Sequence, residues 1–359
     1  MKILMLVNWK IKYSDDIPDD LQSPDYYSKK EKYWFYKYFS EEVQVDVIDI
    51  SSFKALENIE KNILHFYILQ ALKAIFKLKK YDLVVSHGMQ SGILIALFRS
   101  FFKTKAKHIV FDIGSFNSAK ETGKILKLNQ FASKSIDGII YHEREQLEYY
   151  KKCFPWIIKK SKFIPFGADV DYFEKEKKSI EIKSFQDGKY IISIGYKFRD
   201  NETLEKAFKK CNIKNCKLKI IGSVKEKKEE GNIQYYPPIS KSELNKEIQN
   251  ALFCILLLDY MNFSFGQMTL LQQMYYGKIV ITADVPSVRD YIINGKTGIL
   301  YKHKDSEDLK NKIEYVFNNY NNLQDISNAA KKSVDTQFNE KNMAKNVEEF
   351  LKKIDSKER

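Results

Sequence analysis

Arginine, cysteine and proline are all scarce in this 359-residue sequence, and each scarcity narrows its class. Only five of the 60 basic residues are arginines, at positions 99, 144, 199, 289 and 359. Nucleic-acid readers lean on the bidentate arginine fork, so a basic excess that is nearly all lysine argues against a nucleic-acid partner. Four cysteines, Cys153, Cys211, Cys216 and Cys254, form no C-x-x-C pair and no zinc spacing. They read as free thiols of a cytoplasmic chain, with Cys254 a small buried hydrophobe in the apolar run Ala251–Leu258. Seven prolines and 14 glycines exclude a collagen or a disordered tract. No run approaches the roughly 18 apolar residues of a membrane span; the nearest, Ser91–Phe102, is broken by Arg99. The opening Met1–Asn8 is too short for a signal peptide and lacks a small-residue cleavage site.

What remains is a globular chain, 44% hydrophobic, with a net charge of +13. Its length is about that of two domains. The lysine excess suits a polyphosphate ligand or an anionic membrane surface, and equally the codon usage of an AT-rich genome. Short apolar runs alternate with helical patterns from end to end. The first half has Ile3–Val7, Val43–Ile50, Leu83–Ser86, Ile109–Asp112, Gly138–Tyr141 and Phe163–Phe166. The second has Tyr190–Ile194, Leu218–Ile221, Ile233–Tyr235, Cys254–Leu258, Ile279–Thr282 and Gly298–Tyr301. This predicts an α/β protein of two doubly wound, Rossmann-like domains, each of six strands, facing across a cleft. The boundary is expected within Phe173–Gly188: a first domain over 1–173, a second over 174–337, and a closing amphipathic helix within 338–359, packing back toward the first. Such proteins bind ligands outside the carboxyl ends of their strands. No GxGxxG follows a strand and no GxxxxGK[ST] occurs, so dinucleotide and P-loop chemistry are not expected.

Three segments carry a family resemblance. Phe163–Phe173 (FIPFGADVDYF) resembles the interdomain signature IPNGVDxxxF of GT-B glycosyltransferases of the group 1, family four type. Ser264–Ile281 (SFGQMTLLQQMYYGKIVI) is similar to that family's donor-site pattern EGFGxxxLEAMAxGKPVV, and Asp284–Leu300 (DVPSVRDYIINGKTGIL) to DVGGxPEIVxDGxxGxL. Order and distances agree across the second half. The resemblance implies a GT-B fold and a hexosyl-type transferase that moves sugar from a nucleotide-diphosphate sugar with retained anomeric configuration. It implies no metal and no cofactor beyond that co-substrate.

The residues fit such chemistry in their own right. Phe265–Thr269 lies between an apolar strand and a helix, and Gly266 allows close backbone approach. Free N–H groups at that helix start suit phosphate oxygens, although an ordinary strand–helix turn would look the same. What makes Ser264, Gly266, Gln267, Thr269 and Gln272 donor-binding candidates is the resemblance, which implies a donor site here. After the strand Tyr190–Ile194 come Lys197 and Arg199; the resemblance implies a cationic pair on the diphosphate and leaving group here, with Arg199 at the family's Lys and Lys197 nearest to its Arg, offset by one residue. The family's two donor-site glutamates are absent. Gln272 stands at the second, able to accept a ribose hydroxyl without charge assistance, and Ser264 or Phe263 at the first. Asp290 occupies the family's glutamate in the third segment and joins the donor set, with a helix-start acid as the plain alternative.

In the first half, His87 ends a strand and aligns with a histidine of the family, while Asp112 stands where relatives carry a histidine against the donor sugar. Both are catalytic candidates, Asp112 otherwise capping the next turn. Gly114–Ser115 would let an acceptor approach. The long stretch Asn8–Tyr38 interleaves aromatics with Lys and Asp, making Trp9, Tyr26, Tyr27 and Trp34 candidates for stacking on acceptor sugars. His142 and Glu143 are weaker strand-end candidates, and Asp169-Val170-Asp171, shaped like a metal-binding DxD, is read as part of the hinge signature. Expected partners are the nucleotide sugar, a glycan or lipid-linked acceptor, and an anionic membrane at the inner face. For membrane contact Phe154–Ile158 around Trp156 is preferred, and Ile63–Phe76 reads as packed on the sheet. The rival reading is a catalytically weak sugar-nucleotide-binding partner of another transferase, prompted by the missing glutamates.

Overall fold

A computed structural model describes residues 1–18, 21–114, 116, 121–179, 189–195, 197–261 and 263–356. Two compact units emerge. One comprises Met1–Pro165, Asn262–Phe265 and Lys341–Arg359; the other comprises Phe166–Met261 and Gly266–Glu340. Residues 180–188 of the expected boundary lie outside the described residues.

The first unit holds β1 (Lys2–Leu6), β2 (Lys12–Ser14), β3 (Tyr26–Ser28), β4 (Gln44–Ile48), β5 (Leu83–His87), β6 (Lys107–Asp112), β7 (Gly138–Tyr141) and β8 (Ser161–Phe163). Its parallel sheet runs β4-β1-β5-β6-β7-β8. The inner strands β1, β5, β6 and β7, buried on both faces, read as continuous apolar runs, whereas the edge strands β4 and β8 are partly exposed. On one face Leu4, Val84, Val110 and Ile139 pack beneath the helices Ile68–Ile75, Met89–Phe101, Lys124–Ser133 and Gln146–Cys153. On the other, a side chain at Gly138 would meet the Phe350 ring of helix Glu340–Asp355 at 3.1 Å. Glu348 and Lys352 of that helix bind the Ser40 amide (3.2 Å) and Glu42 (3.0 Å).

Two expectations change. The stretch Asn8–Tyr38 is no open loop: β2 and β3 pair in parallel within it, and Tyr33, Trp34, Phe35 and Tyr36 are buried. Its aromatics outweigh its charges in deciding where it goes, because each ring removes a large apolar area from water. Trp156 is half-buried, packed on the core with its indole N–H donating to Ser133 Oγ at 3.1 Å, whereas Ile63, Leu72 and Phe76 are exposed. Helix Ile68–Ile75 is nonetheless packed on the sheet through Ala71 and Ala74, as expected.

The second unit holds β9 (Lys189–Ile194), β10 (Cys216–Ile221), β11 (Lys228–Glu230), β12 (Ile233–Tyr236), β13 (Cys254–Leu256), β14 (Val280–Ala283) and β15 (Ile299–Tyr301). Their order is β11-β12-β10-β9-β13-β14-β15, parallel except for β11, a short charged edge strand without a hydrophobic signature. Helix starts follow their capping chemistry. Asp200 accepts the Thr203 N–H, and Ser240 and Glu243 form a reciprocal capping box at helix Lys241–Asn250.

Candidate functional site

Strand order locates the ligand edge of each unit. From β9 the second unit's chain crosses to one side (β10) and later returns on the other (β13), so the strand order reverses between β9 and β13. The crevice outside the carboxyl ends at such a reversal is where open α/β sheets take ligands. Two loops meet there, with the Asp259 N–H donating to the Phe198 carbonyl at 3.2 Å. In the first, the Arg199 guanidinium donates to the carbonyls of Ile194 (3.1 Å), Lys197 (3.1 Å) and Phe198 (3.4 Å). It lies flat on Gly195 (φ +139), where a Cβ would come within 2.2 Å of Arg199 Nε. Burial lowers its pKa to about 10, partly offset by Asp259, so it stays charged at neutral pH; among the described residues it forms no ion pair. Lys197 is exposed on the same loop.

The second loop ends at Gly266 (φ +81), from which helix Gln267–Tyr275 starts without a side-chain cap. A Cβ at Gly266 would sit 2.8 Å from Leu258 Cδ2. Gly266→Ala is therefore expected to lower stability by about 3 kcal/mol in urea unfolding, from left-handed strain plus overpacking. Adding Leu258→Ala should not restore it, since the strain remains. Gln267 is buried and donates to the Ser287 carbonyl (2.9 Å), tying the helix start to the turn Pro286–Arg289. Thr269 is half-buried in the first turn, and Asp290, also half-buried, closes that short helix. Gln272 Nε2 donates to Asn245 Oδ1 at 2.6 Å, and Asn245 Nδ2 to Glu176 at 3.2 Å. This fixes the Gln272 amide so that its carbonyl oxygen is the end left to accept a hydrogen bond. Ser264 is half-buried and groups with the first unit.

In the first unit the reversal falls between β1 and β5. There the His87 ring is enclosed by Trp9 edge-on (4.6 Å between centroids), by Trp34 at a tilt (5.7 Å) and by Phe111 nearly parallel to it (6.2 Å). Burial, reinforced by His142, pulls its pKa down to about 3, leaving a neutral imidazole whose Nδ1 has no partner among the described residues. Trp9 Nε1 donates to the Pro24 carbonyl (3.2 Å) and Tyr33 Oη (3.1 Å). Tyr26 instead donates to Glu31 (2.5 Å), and Tyr27 packs between Tyr13 and Tyr33.

Asp112 is fully buried at the end of β6. Its oxygens accept the N–H groups of Gly114 (3.0 Å) and Phe116 (3.3 Å), Gln146 Nε2 (3.4 Å) and the Tyr150 hydroxyl. That is the geometry of a carboxylate holding the turn after its strand. Ser115 lies outside the described residues. Gly114 (φ +101) has Phe263 directly over it: a Cβ would fall 2.5 Å from that ring. His142 Nδ1 is 2.6 Å from the Ile164 carbonyl, which makes it the protonated nitrogen, and burial lowers its pKa to about 4. Asp169 accepts the Tyr172 N–H (3.3 Å) at a helix start. Among the described residues no three His, Cys, Asp or Glu side chains group to hold a metal ion.

Three contributors escaped the sequence reading: Gly195 beneath Arg199, Asn245 beside Gln272, and Phe263 over Gly114. Only Gly195 carried a signal, a glycine directly after a strand and four residues before an arginine.

Both sheets are of Rossmann-like order, parallel but for the edge strand β11, and each has a strand reversal at its carboxyl edge. Residues 174–333 match the family model of glycosyl transferases group 1. That match lies within the second half of the chain, and the chain as a whole has the GT-B fold. It is similar to sucrose-phosphate synthase from Thermosynechococcus elongatus (14% identity, TM-score 0.70, 99% of each chain covered). It is likewise similar to HepE from Anabaena, solved with UDP and glucose (14% identity, TM-score 0.67, 98% of this chain and 100% of that one). A third relative in fold is a glycosyltransferase from Rickettsia africae (15% identity, TM-score 0.68, 99% of each chain). No curated protein matches the sequence. No helix among the described residues is long and apolar enough to cross a membrane.

Proposed function

We propose that the chain transfers a hexose from a nucleotide-diphosphate sugar, with retention, to a glycan or lipid-linked acceptor in cell-surface polysaccharide synthesis at the inner membrane face. The observation that carries this reading is the charged, salt-bridge-free Arg199 guanidinium on Gly195, at the same strand reversal as the uncapped helix start after Gly266. As the sugar–phosphate bond breaks, negative charge gathers on the departing diphosphate. Arg199, Lys197 and the amides after Gly266 are fixed donors for that charge, and such preorganised groups act most strongly in the transition state. They supply the charge stabilisation without calling on a metal.

Gln272 is assigned the nucleotide ribose through its free carbonyl oxygen, and Asp290, Ser264, Gln267 and Thr269 the remaining donor contacts. His87, neutral in its aromatic enclosure with Trp9 and Trp34, is assigned to the acceptor side. Asp112, already engaged by protein donors, is assigned the positioning of the 112–116 turn. The complexes of HepE make UDP-glucose the first donor to try.

Gln272→Ala is expected to weaken nucleotide binding about fivefold, the worth of one hydrogen bond. Gln272→Glu should not improve on the wild type, because its carboxylate would face Asn245 Oδ1 while Glu176 holds the amide nitrogen. Isothermal titration with the nucleoside diphosphate checks both. The reading itself is tested by incubating a panel of UDP- and GDP-sugars with a membrane-lipid extract and determining the product anomer by NMR. A product with the donor's configuration supports it. Tight donor binding without turnover on any extract would favour a non-catalytic sugar-nucleotide-binding subunit.

A further inference from the structure

The helix layer on one face of the first sheet carries an unusual outer surface. Helix Ile68–Ile75 packs beside Met89–Phe101, and that helix beside Lys124–Ser133. Each ends in exposed phenylalanine: Phe76 is 84% exposed, Phe101 and Phe102 are 72% and 58%, and Phe131 is 45%. The Phe101 and Phe131 rings lie 5.9 Å apart, so neighbouring helices share one apolar ridge. Along Lys124–Ser133 the pattern of a surface helix is inverted. Leu126 and Ala132 face the core, but Ile125, Leu128 and Phe131 all point outward. Because each helix returns antiparallel to the strands, these ends gather at the amino edge of the sheet, opposite the edge where His87 and Asp112 lie.

Charge on this layer is one-sided. Every phenylalanine end is followed by lysine: Lys77, Lys79 and Lys80; Lys103 and Lys105; Lys134. No carboxylate side chain occurs between Glu60 and Asp82, between Asp82 and Asp112, or between Glu121 and Asp137, the stretches that build all three helices. Asp82 pairs with Lys105 in an exposed contact of 3.2 Å and Lys134 lies over the Trp156 ring at 5.5 Å, which leaves Lys77, Lys79, Lys80 and Lys103 to face an external partner. A protein partner would be served by either sign of charge in patches. Exposed aromatics fringed mainly by cations, with Asp82 and Asp355 the acids beside Lys103 and Lys105, match a surface that is apolar below and anionic above.

We propose that this face docks on an anionic lipid bilayer, with Phe76, Phe101, Phe102 and Phe131 entering the interface and the lysines meeting lipid phosphates. The proposal is independent of the donor site. It places membrane contact on the helix ends rather than on the Trp156 segment, whose rings are packed inward.

The test is co-sedimentation of the full chain with phosphatidylcholine vesicles, with and without phosphatidylglycerol. The wild type should sediment with the anionic vesicles only, and less as salt rises. The double variant Phe76→Ser/Phe101→Ser should lose affinity at least about tenfold, and Lys79→Gln/Lys103→Gln about fivefold per lysine. Both pairs are exposed, so unchanged thermal unfolding and unchanged nucleotide binding would show that the fold survives. Binding to both vesicle types, binding to neither, or variants that sediment like the wild type would overturn the proposal. So would a wild-type dimer, broken by Phe76→Ser/Phe101→Ser, that ignores vesicles; the face would then join two copies of the chain.

Discussion

Arg199→Ala is expected to lower kcat/KM for the donor by about 10² to 10³, the usual cost of deleting one preorganised donor to developing negative charge. The reason is geometric as much as electrostatic. Three carbonyls hold the guanidinium by its Nε and Nη1 edge, so it points one way before any ligand arrives. Arg199→Lys should recover little, because an ammonium cannot make this planar set of contacts or lie flat on Gly195. Gly195→Ala should mimic much of the loss with the arginine intact, since the new Cβ would fall 2.2 Å from Nε and force the guanidinium off its seat. Initial rates across donor concentration, with thermal unfolding as the control for folding, check all three. A Gly195→Ala enzyme with wild-type kcat/KM would mean that the placement of Arg199 is irrelevant to transfer.

The second large effect is acid lability. His87, His108 and His142 are buried, and burial lowers their pKa values to about 3, 3 and 4. His108 is further fixed by Ser86 Oγ at 2.8 Å from its Nε2. In the unfolded chain each would take up a proton near pH 6.5, so the unfolded state binds more protons throughout the interval between the two values. The stability these neutral rings contribute is therefore complete above about pH 6.5 and is lost progressively as pH falls toward 4. At pH 5 each ring should cost about 2 kcal/mol, some 6 kcal/mol together relative to pH 7. Urea unfolding at the two pH values measures it, and His108→Gln should remove about a third of the difference. An unfolding free energy that is flat from pH 7 to pH 5 would contradict the burial of these rings. The same depression keeps His87 neutral wherever the enzyme is assayed above pH 5, so it contributes no titration to the rate profile there.

Eleven of the strands were legible from apolar runs, most of them because parallel strands covered on both faces have nowhere to hide polar residues, while the run expected at Phe163–Phe166 overlaps the edge strand β8 by one residue. The missed ones obey other rules. β11 is Lys-Glu-Glu, recruited by pairing with β12 at an exposed edge, and β2 and β3 are three-residue pieces held by the aromatic cluster around Trp34. Helix Lys241–Asn250 starts where Ser240 and Glu243, three residues apart, form a capping box. At the candidate site, Arg199 and Gly266 were picked out through the family resemblance, because spacing after their strands does not by itself separate them from ordinary turn residues. What spacing could not give is which way a side chain turns: Trp9 and Trp34 toward His87, Tyr26 toward Glu31, Trp156 inward, Phe76 outward. Those choices depend on contacts between residues far apart in sequence.

Hydrogen exchange with and without UDP or GDP tests the central claim most directly, that the β9/β13 edge is the donor phosphate site. Bound nucleotide is expected to protect the amides of Gly195, Lys197–Arg199 and Gly266–Thr269, and to leave the Tyr26–Ser28 strand unchanged. Protection centred away from both loops, with the Gly266–Thr269 amides exchanging as in the free protein, would contradict it.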